Sequence, residues 1–181
     1  MNFIEQEIKG VFVVEPKRFG DARGYFCEVW KQSEFEAHIP GVKFVQDNES
    51  VSTYGVLRGL HFQEGEFAQA KLVRVSHGTV LDVIVDLRGD SPTFGKHVAV
   101  ELSADNGRQL FVPRGFAHGF VVLSEYAQFQ YKVDNVYAPQ AEKTLRFDDE
   151  TLGIDWRVEK EKMLLSEKDL RGVMLKDIKP F

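Results

Sequence analysis

The sequence predicts an all-β fold, an antiparallel sandwich or barrel in which short strands alternate with turns. Short apolar runs are separated at regular intervals by Gly, Pro, Asn or Asp, and this punctuation is typical of sandwiches and barrels. No sustained helical period occurs before the last third of the chain. Its 181 residues suffice for one sizeable core, so we expect a single domain over residues 1–181, with short helices mainly near the C-terminus.

The first elements each have a local signal. Residues 10–16 form an apolar run that a proline closes, and residues 25–30 form a second run after the glycine-bounded turn at 20–24. Both runs are predicted to be strands. Residues 33–38 are predicted to form a short helix, with Ser33 as its N-cap and the Pro-Gly pair that follows as its stop.

The middle of the chain is a series of strand signals. Further strands are predicted at residues 42–48, 57–62, 71–75, 79–87, 95–103, 108–112, 116–123 and 127–133. A His-Gly turn at 77–78 precedes one of them. Residues 104–107, Ala-Asp-Asn-Gly, form a strong hairpin turn because asparagine and glycine adopt positive φ at little cost.

The last predicted strand, 127–133, shows the clearest alternation. Its odd-numbered residues are apolar or aromatic, whereas its even-numbered residues are Gln or Lys. Side chains alternate across a strand, so Tyr131 is expected to point inward. Beyond Pro139 the sequence mixes short helical turns and loops, and Ser166 is the best candidate for a helix start.

The stretch 55–75 places a histidine, two arginines and a lysine within apolar strand-like runs, and buried charge is costly unless it has a role. Gly59 interrupts the first run, and a glycine inside a strand often marks a bulge. A bulge shifts side-chain parity by one, so Arg58 and His61 are expected to face the same interior. Lys71 lies on the apolar face of the second run. The alternative is a half-solvated strand whose basic side chains reach water.

Composition excludes several classes of protein. A net charge of −5 offers no general attraction to nucleic acid or anionic lipid, and no apolar run has the ~20 residues of a membrane span. No export leader is recognisable at the N-terminus. The single Cys27 fits a reducing compartment. We therefore expect a cytoplasmic protein without nucleic-acid or membrane partners.

Metal and nucleotide motifs are also missing. The spacing Pro-x-Gly-x-x-His at 113–118 resembles the second half of the cupin motif, but the His-x-His pair of metal-binding cupins is absent and the five histidines are scattered. Zinc or iron needs at least about three converging ligands, so no metal site is expected. Glycine-rich dinucleotide and phosphate loops and the Gly-x-Ser-x-Gly elbow are absent as well.

The residues that remain suit proton transfer without a cofactor. The inward-facing polar candidates are His61, Lys71, His118 and Tyr131, with Asp82, Asp86 and Asp169 as candidate acidic partners. This set holds a base, a cation and an acid, so a histidine could take a proton while a cation holds the oxyanion and a tyrosine returns a proton. For His118, which lies between two phenylalanines, an ordinary core histidine is an equally good interpretation.

Several of these motifs closely resemble the dTDP-4-dehydrorhamnose 3,5-epimerase family of cupins. The resemblance covers nearly the whole chain in the family's order and rests on residues 57–63, 71–75, 86–95, 113–120, 131–133, 137–139 and 166–169. It implies a cupin jelly-roll barrel, a homodimer, and an isomerase that uses no metal or organic cofactor. The implied substrate is a dTDP-4-keto-6-deoxy sugar, in the biosynthesis of dTDP-L-rhamnose or a related deoxysugar for a cell-envelope polysaccharide.

The resemblance also implies roles for individual residues. His61 would be the base, paired with Asp169, and Tyr131 the acid on the opposite face of the sugar. Lys71 would stabilise the enolate formed at the C4 ketone, which C3 and C5 both flank. The implied substrate-binding residues are Arg23, Glu28, Gln46, Asp47, Asn48, Arg58, His118, Glu142 and Lys168, with Tyr137 stacking on the thymine. Some of them would come from the neighbouring subunit.

One departure and three alternatives accompany this interpretation. Residues 64–68 read Glu-Gly-Glu-Phe-Ala, where the family usually has a proline-containing loop, so the rim near the sugar is expected to differ in shape. The alternatives are an epimerase that inverts only C3 or only C5, a non-catalytic sugar-binding cupin, and a metal-dependent cupin isomerase or dioxygenase. The matched base and acid disfavour the second, and the missing ligands disfavour the third.

Overall fold

The computed structural model describes residues 1–181, and its regular elements are mostly strands. The strands are β1 (Asn2–Glu5), β2 (Phe12–Glu15), β3 (Arg18–Asp21), β4 (Gly24–Cys27), β5 (Gln46–Thr53), β6 (Leu57–Gln63), β7 (Lys71–His77), β8 (Thr79–Asp86), β9 (His97–Ser103), β10 (Gln109–Val112), β11 (Phe116–Val122), β12 (Tyr126–Val133) and β13 (Glu142–Thr144), and the helices are α1 (Gln32–His38) and α2 (Glu167–Leu170). Single turns of 3₁₀ helix occur in four connections. None of the helices is long and apolar enough to cross a membrane.

Two antiparallel sheets form the body of the protein. One has the order β1-β2-β10-β7-β12-β5 and the other the order β13-β6-β11-β8-β9. The prediction of an all-β antiparallel fold is therefore confirmed. No strand is hydrogen bonded in both sheets, so a continuous closed barrel is not detected.

The core has three parts, one between the sheets and one on each outer face. The inner part combines residues of β7, β10 and β12 with residues of β8 and β11. The C-terminal third of the chain covers the outer face of the five-stranded sheet, and α1 covers part of the outer face of the six-stranded sheet. Because β8 and β11 are covered on both faces, they are almost continuously apolar and buried.

Several boundaries differ from the prediction. The strand predicted at 42–48 begins only at Gln46 and continues to Thr53, and the strand predicted at 25–30 ends at Cys27. Helix α1 begins at Gln32 after Lys31, and no side chain caps it, so the predicted Ser33 cap is wrong. Helix α2 does begin after Ser166, whose side chain forms a capping box with Asp169.

The bulge predicted at Gly59 is confirmed by the pairing of β6 with β11. Arg58 pairs with Phe120 and His61 with His118, so β6 contains one more residue than β11 between the two pairs. Gly59 has a φ of 139°, and a Cβ added to it would lie 2.5 Å from the Cα of Gly119. The extra residue brings Arg58 and His61 to the same cavity.

We expect Gly59→Ala to destabilise the protein by at least about 3 kcal/mol, because it combines a forbidden φ with a backbone clash. Urea unfolding measures the change. Gly41→Ala is the matched control, since Gly41 also has a positive φ but open space around it, and it should cost only about 1 kcal/mol. Equal losses for the two variants would contradict the importance of the close approach.

Candidate active site

A cavity of about 630 Å³ lies where the two sheets meet the C-terminal segment. It gathers eight of the predicted site residues from six different elements. These residues are Arg58 and His61 of β6, Lys71 of β7, His118 of β11, Tyr131 of β12, Glu142 of β13, and Lys168 and Asp169 of α2. All four residues with predicted catalytic roles are among them.

His61 and Asp169 are in direct contact in this cavity. The Nε2 atom of His61 lies 2.7 Å from Oδ1 of Asp169, although the ring does not align with the carboxylate for a linear hydrogen bond. The pair is therefore best described as a contact that becomes an ion pair when the imidazole is protonated. The other ring nitrogen of His61 has no hydrogen-bond partner in the chain and is free for a substrate.

The carboxylate of Asp169 is held by hydrogen bonds from two segments. Gly59 donates its N–H to Oδ1, whereas Ser166 donates both its N–H and its hydroxyl to Oδ2. Burial alone would raise the pKa of Asp169, but the contact with His61 and the hydrogen bonds from Ser166 and Gly59 lower it to about 2. Asp169 is thus a fixed anion at neutral pH.

Lys71 is a cation without a partner. Its side chain is partly buried and lines the cavity. Burial lowers its pKa from 10.5 to about 8, against the attraction of Asp82 and Glu142, and no hydrogen bond holds the amine. Lys71 lines the cavity, as predicted, and it is partly buried there. Its charge is available to an anion in the cavity.

Tyr131 supplies a phenol of the opposite character. Its side chain points inward, as the alternation of β12 predicts, and lines the cavity. Burial raises its pKa, so the hydroxyl stays protonated at neutral pH. No group of the chain accepts a hydrogen bond from it, which leaves the proton free for transfer.

His118 is paired with Asp82 behind the cavity wall. Its Nε2 lies 3.0 and 3.1 Å from the two carboxylate oxygens, and both side chains are buried. Burial raises the pKa of Asp82 and lowers that of His118, so it disfavours the charged form of both groups, whereas their contact favours the charged forms. The remaining acidic candidate, Asp86, lies outside the cavity, where Arg88, Ser91 and Thr93 bind its carboxylate.

Glu142, Lys168 and Tyr137 form a polar group at the rim. Glu142 accepts a hydrogen bond from the Tyr137 hydroxyl at 2.8 Å and is ion-paired with Lys168. Burial acts to raise the pKa of Glu142, but these two contacts lower it. The ring of Tyr137 is exposed, so a flat apolar group could stack on it.

The remaining predicted binding residues lie outside the main cavity of their own chain. Asp47 and Asn48 line a neighbouring cavity of about 420 Å³, and Gln46 donates a hydrogen bond to the side chain of Asn48. Arg23 and Glu28 lie farther away, at the tip and after the end of the β3–β4 hairpin. The side chain of Arg23 is 90% exposed.

Sequence reasoning missed several residues of the cavity wall. The residues without a predicted role are Glu49, Ser50, Val56, Leu57, Phe120, Phe129, Leu164, Leu165 and Ser166. Glu49 and Ser50 continue β5 beyond the predicted strand end, so a correct boundary would have found them. Leu164 and Leu165 belong to a loop that pairs with Val56, and no local pattern signals such a contact.

Comparisons with known proteins show the family of the chain. The model of the dTDP-4-dehydrorhamnose 3,5-epimerase family matches residues 5–177. A dTDP-4-dehydrorhamnose 3,5-epimerase of Escherichia coli is 53% identical over 180 residues, which are 98% of this chain and 96% of the relative.

Solved structures extend the similarity to the fold. A dTDP-4-dehydrorhamnose 3,5-epimerase from Elizabethkingia anophelis superimposes with a TM-score of 0.93 at 51% identity, over 98% of this chain and 97% of that one. A 3,5-epimerase from Legionella pneumophila, solved in complex with dTDP-4-keto-L-rhamnose, has a TM-score of 0.94 at 45% identity, over 98% and 94% of the two chains.

We expect Lys71→Met to stabilise the folded protein at pH 7. The pKa of Lys71 falls from 10.5 to about 8 on folding, and each pKa unit corresponds to ~1.4 kcal/mol, so burying the charge costs on the order of 3 kcal/mol below pH 8. The cost decreases as the pH rises from 8 towards 10.5, because the folded amine is then neutral and the free energy needed to remove its proton falls with rising pH. Urea unfolding at pH 7 and pH 10 measures both effects.

Lys143→Met is the matched control for this experiment. Lys143 is exposed on β13 and makes only a 4.0 Å ion pair with Glu64, so its loss should change the free energy of unfolding by less than about 0.5 kcal/mol. A Lys71→Met variant less stable than the parent at pH 7 would mean that the amine is not buried at a cost.

Proposed function

The chain belongs to the dTDP-4-dehydrorhamnose 3,5-epimerase family and carries that family's activity, in dTDP-L-rhamnose biosynthesis, and we propose how its residues share the work. The reaction inverts C3 and C5 of dTDP-4-dehydro-6-deoxy-D-glucose to give dTDP-4-dehydro-L-rhamnose. One observation carries the proposal. A histidine against a fixed carboxylate, an unpaired cation and a protonated phenol without a partner all face one cavity.

His61 is the proposed general base. A proton on C3 or C5 is acidified by the neighbouring C4 ketone, and the free ring nitrogen of His61 accepts it. The imidazolium that forms is stabilised by Asp169, whose pKa of about 2 keeps it anionic. The carboxylate thus stabilises the positive charge that forms on the ring, and it stays ionised while the ring holds the proton.

Lys71 and Tyr131 complete the proposed cycle. Removal of the proton leaves an enolate with its charge on the C4 oxygen, and the unpaired amine of Lys71 can approach that oxygen without first breaking another contact. Tyr131 then donates its proton to the carbon from the opposite face, which inverts the centre. Because C3 and C5 flank the same ketone, one set of groups serves both inversions.

The proposed binding residues hold the rest of the substrate. Arg58 and Lys168 are cations at the cavity and suit the diphosphate, which the negative net charge of the chain would otherwise repel. His118 lines the cavity and is held by Asp82, so its ring is fixed in place to bind the sugar. Tyr137 offers its exposed ring to the thymine.

Two further proposals concern the assembly and the location. We propose a homodimer in which the β3–β4 hairpin of one subunit reaches the cavity of the other. This is supported by the absence of Arg23 from the wall of its own cavity and by exposed aromatic residues on the hairpin, among them Phe26 at 69% exposure. The free Cys27 of that hairpin supports a reducing, cytoplasmic location.

Tyr131→Phe is expected to uncouple proton exchange from product formation. Without the phenol, His61 can still remove and return a proton on its own face, so deuterium from solvent should enter the substrate while epimerisation falls by ~10²–10⁴-fold. His61→Ala should abolish both. NMR of dTDP-4-keto-6-deoxyglucose in deuterated buffer follows the two processes together.

Binding of dTDP is the control for both variants and should stay unchanged, since neither residue is proposed to hold the nucleotide. Parallel loss of exchange and turnover in Tyr131→Phe would assign Tyr131 an earlier or purely structural role. Exchange that persists in His61→Ala would remove His61 as the base.

Mixed dimers test whether Arg23 serves the partner's site. Arg23→Ala and His61→Ala homodimers should each be impaired, but a heterodimer of the two has one site with intact His61 and an intact arginine from the other subunit. Co-expression with two affinity tags isolates the heterodimer, and its activity should recover to roughly half of the parent value. No recovery would mean that Arg23 acts in its own subunit or not at all.

A further inference from the structure

Gln63 is a buried amide at the end of β6 that takes no part in the proposed chemistry. Only 5% of its surface is exposed, and a buried amide needs hydrogen-bond partners. Its Nε2 donates to the carbonyl of Val136 at 3.1 Å and to that of Phe67 at 2.7 Å, while its Oε1 accepts from the N–H of Ala138 at 2.7 Å. Both amide protons and the oxygen are therefore used.

Two of these hydrogen bonds hold the backbone on either side of Tyr137. The carbonyl of Val136 precedes that residue and the N–H of Ala138 follows it, so one side-chain amide pairs with the chain as a neighbouring strand would. Tyr137 itself remains 54% exposed, and the only hydrogen bond of its side chain is the one that its hydroxyl donates to Glu142. The position of the ring thus depends on the backbone that Gln63 holds.

The third hydrogen bond ties the same amide to the loop 64–68, where this chain departs from the family pattern. Asn135 joins the two loops as well, since its Nδ2 donates to the carbonyl of Glu66 at 2.8 Å. Gln69 adds a hydrogen bond to the carbonyl of Asn135, also at 2.8 Å. The loop without proline is therefore fastened to the loop that carries Tyr137.

We infer that Gln63 is a positioning residue for nucleobase recognition, which fixes the ring of Tyr137 in the orientation that stacks on the thymine. The inference rests on the proposed stacking role of Tyr137. It follows from the hydrogen bonds. An exposed aromatic ring on a free loop loses conformational entropy when a base binds, whereas a ring on a fixed backbone has already lost that entropy on folding, so the base binds more tightly. Gln63 acts through Tyr137 and touches neither the sugar nor the reacting carbons.

The test compares Gln63→Met, which keeps the size of the side chain and removes all three hydrogen bonds, with Tyr137→Ala. Loss of a stacked base should weaken dTDP binding by ~5- to 150-fold in Tyr137→Ala. Gln63→Met should raise the Kd for dTDP and the KM by at least about fivefold and change kcat by less than about twofold. The reason is that the lost interaction contributes equally to binding of the substrate and of the transition state. Calorimetry and steady-state kinetics measure these values.

Gln69→Met is the matched control, because Gln69 joins the same two loops through a single hydrogen bond that does not flank Tyr137. Its Kd for dTDP should stay within about twofold of the parent value. Gln63→Glu is a second variant for the event that Gln63→Met folds poorly. It keeps the acceptor for Ala138 and loses both donors, so the KM should again rise while kcat holds.

The double variant Gln63→Met, Tyr137→Ala decides whether Gln63 acts through the ring. The Kd for dTDP should equal that of Tyr137→Ala alone, since a ring that is absent cannot be misplaced. Losses that multiply would overturn the inference, as would an unchanged Kd in Gln63→Met beside a weakened Tyr137→Ala. An unchanged Kd in Tyr137→Ala would instead remove the stacking role on which the inference rests.

Discussion

The close approach of β6 and β11 at Gly59 and Gly119 is the constraint on which the geometry of the site depends. A Cβ on either glycine would lie within 3 Å of the opposing backbone, so the two strands can meet only where both side chains are missing. The extra residue of β6 is accommodated at this point. It turns Arg58 and His61 to the cavity, while Leu57, Leu60 and Phe62 pack into the outer core. The apolar residues thereby anchor the strand that carries the base.

The buried aspartates show how hydrogen bonding assigns different tasks to one residue type. Asp86 receives its hydrogen bonds from Arg88, Ser91 and Thr93 and closes a loop. Asp82 contacts only His118, whereas Asp169 is fixed as an anion beside His61. Burial opposes ionisation in all three, and the pKa is lowered only in Asp86 and Asp169, where several donors reach the carboxylate.

The strands that could be predicted from the sequence are those whose burial requires continuous or alternating apolar residues. Strands β8, β11 and β12 were predictable because continuous burial or alternation marks them. The polar strand β5, by contrast, owes its position to its pairing with β12 and carries little apolar signal, and the short strands β1, β3 and β13 were missed altogether. For helix α1, packing of Phe35 against the sheet replaces the capping that Ser33 was expected to provide.

Residue patterns predicted only part of the site, and the resemblance supplied the rest. The parity argument at Gly59 brought Arg58 and His61 together, and the alternation of β12 turned Tyr131 inward. The choice of Asp169 as the partner of His61 came from the resemblance, because a contact between residues so far apart in the chain leaves no local pattern. Contacts between subunits likewise leave no pattern in the sequence of one chain, so the roles of the residues of the β3–β4 hairpin are proposals.

Strand β6 links the two ends of the site within one chain. His61 and Gln63 are two residues apart on this strand, a separation of about 7 Å, and β13 pairs Thr144 with the first and Glu142 with the second. The backbone of β6 therefore sets the distance between the proposed base and the residue that holds the loop of Tyr137, so one strand orients the two parts of the site relative to each other.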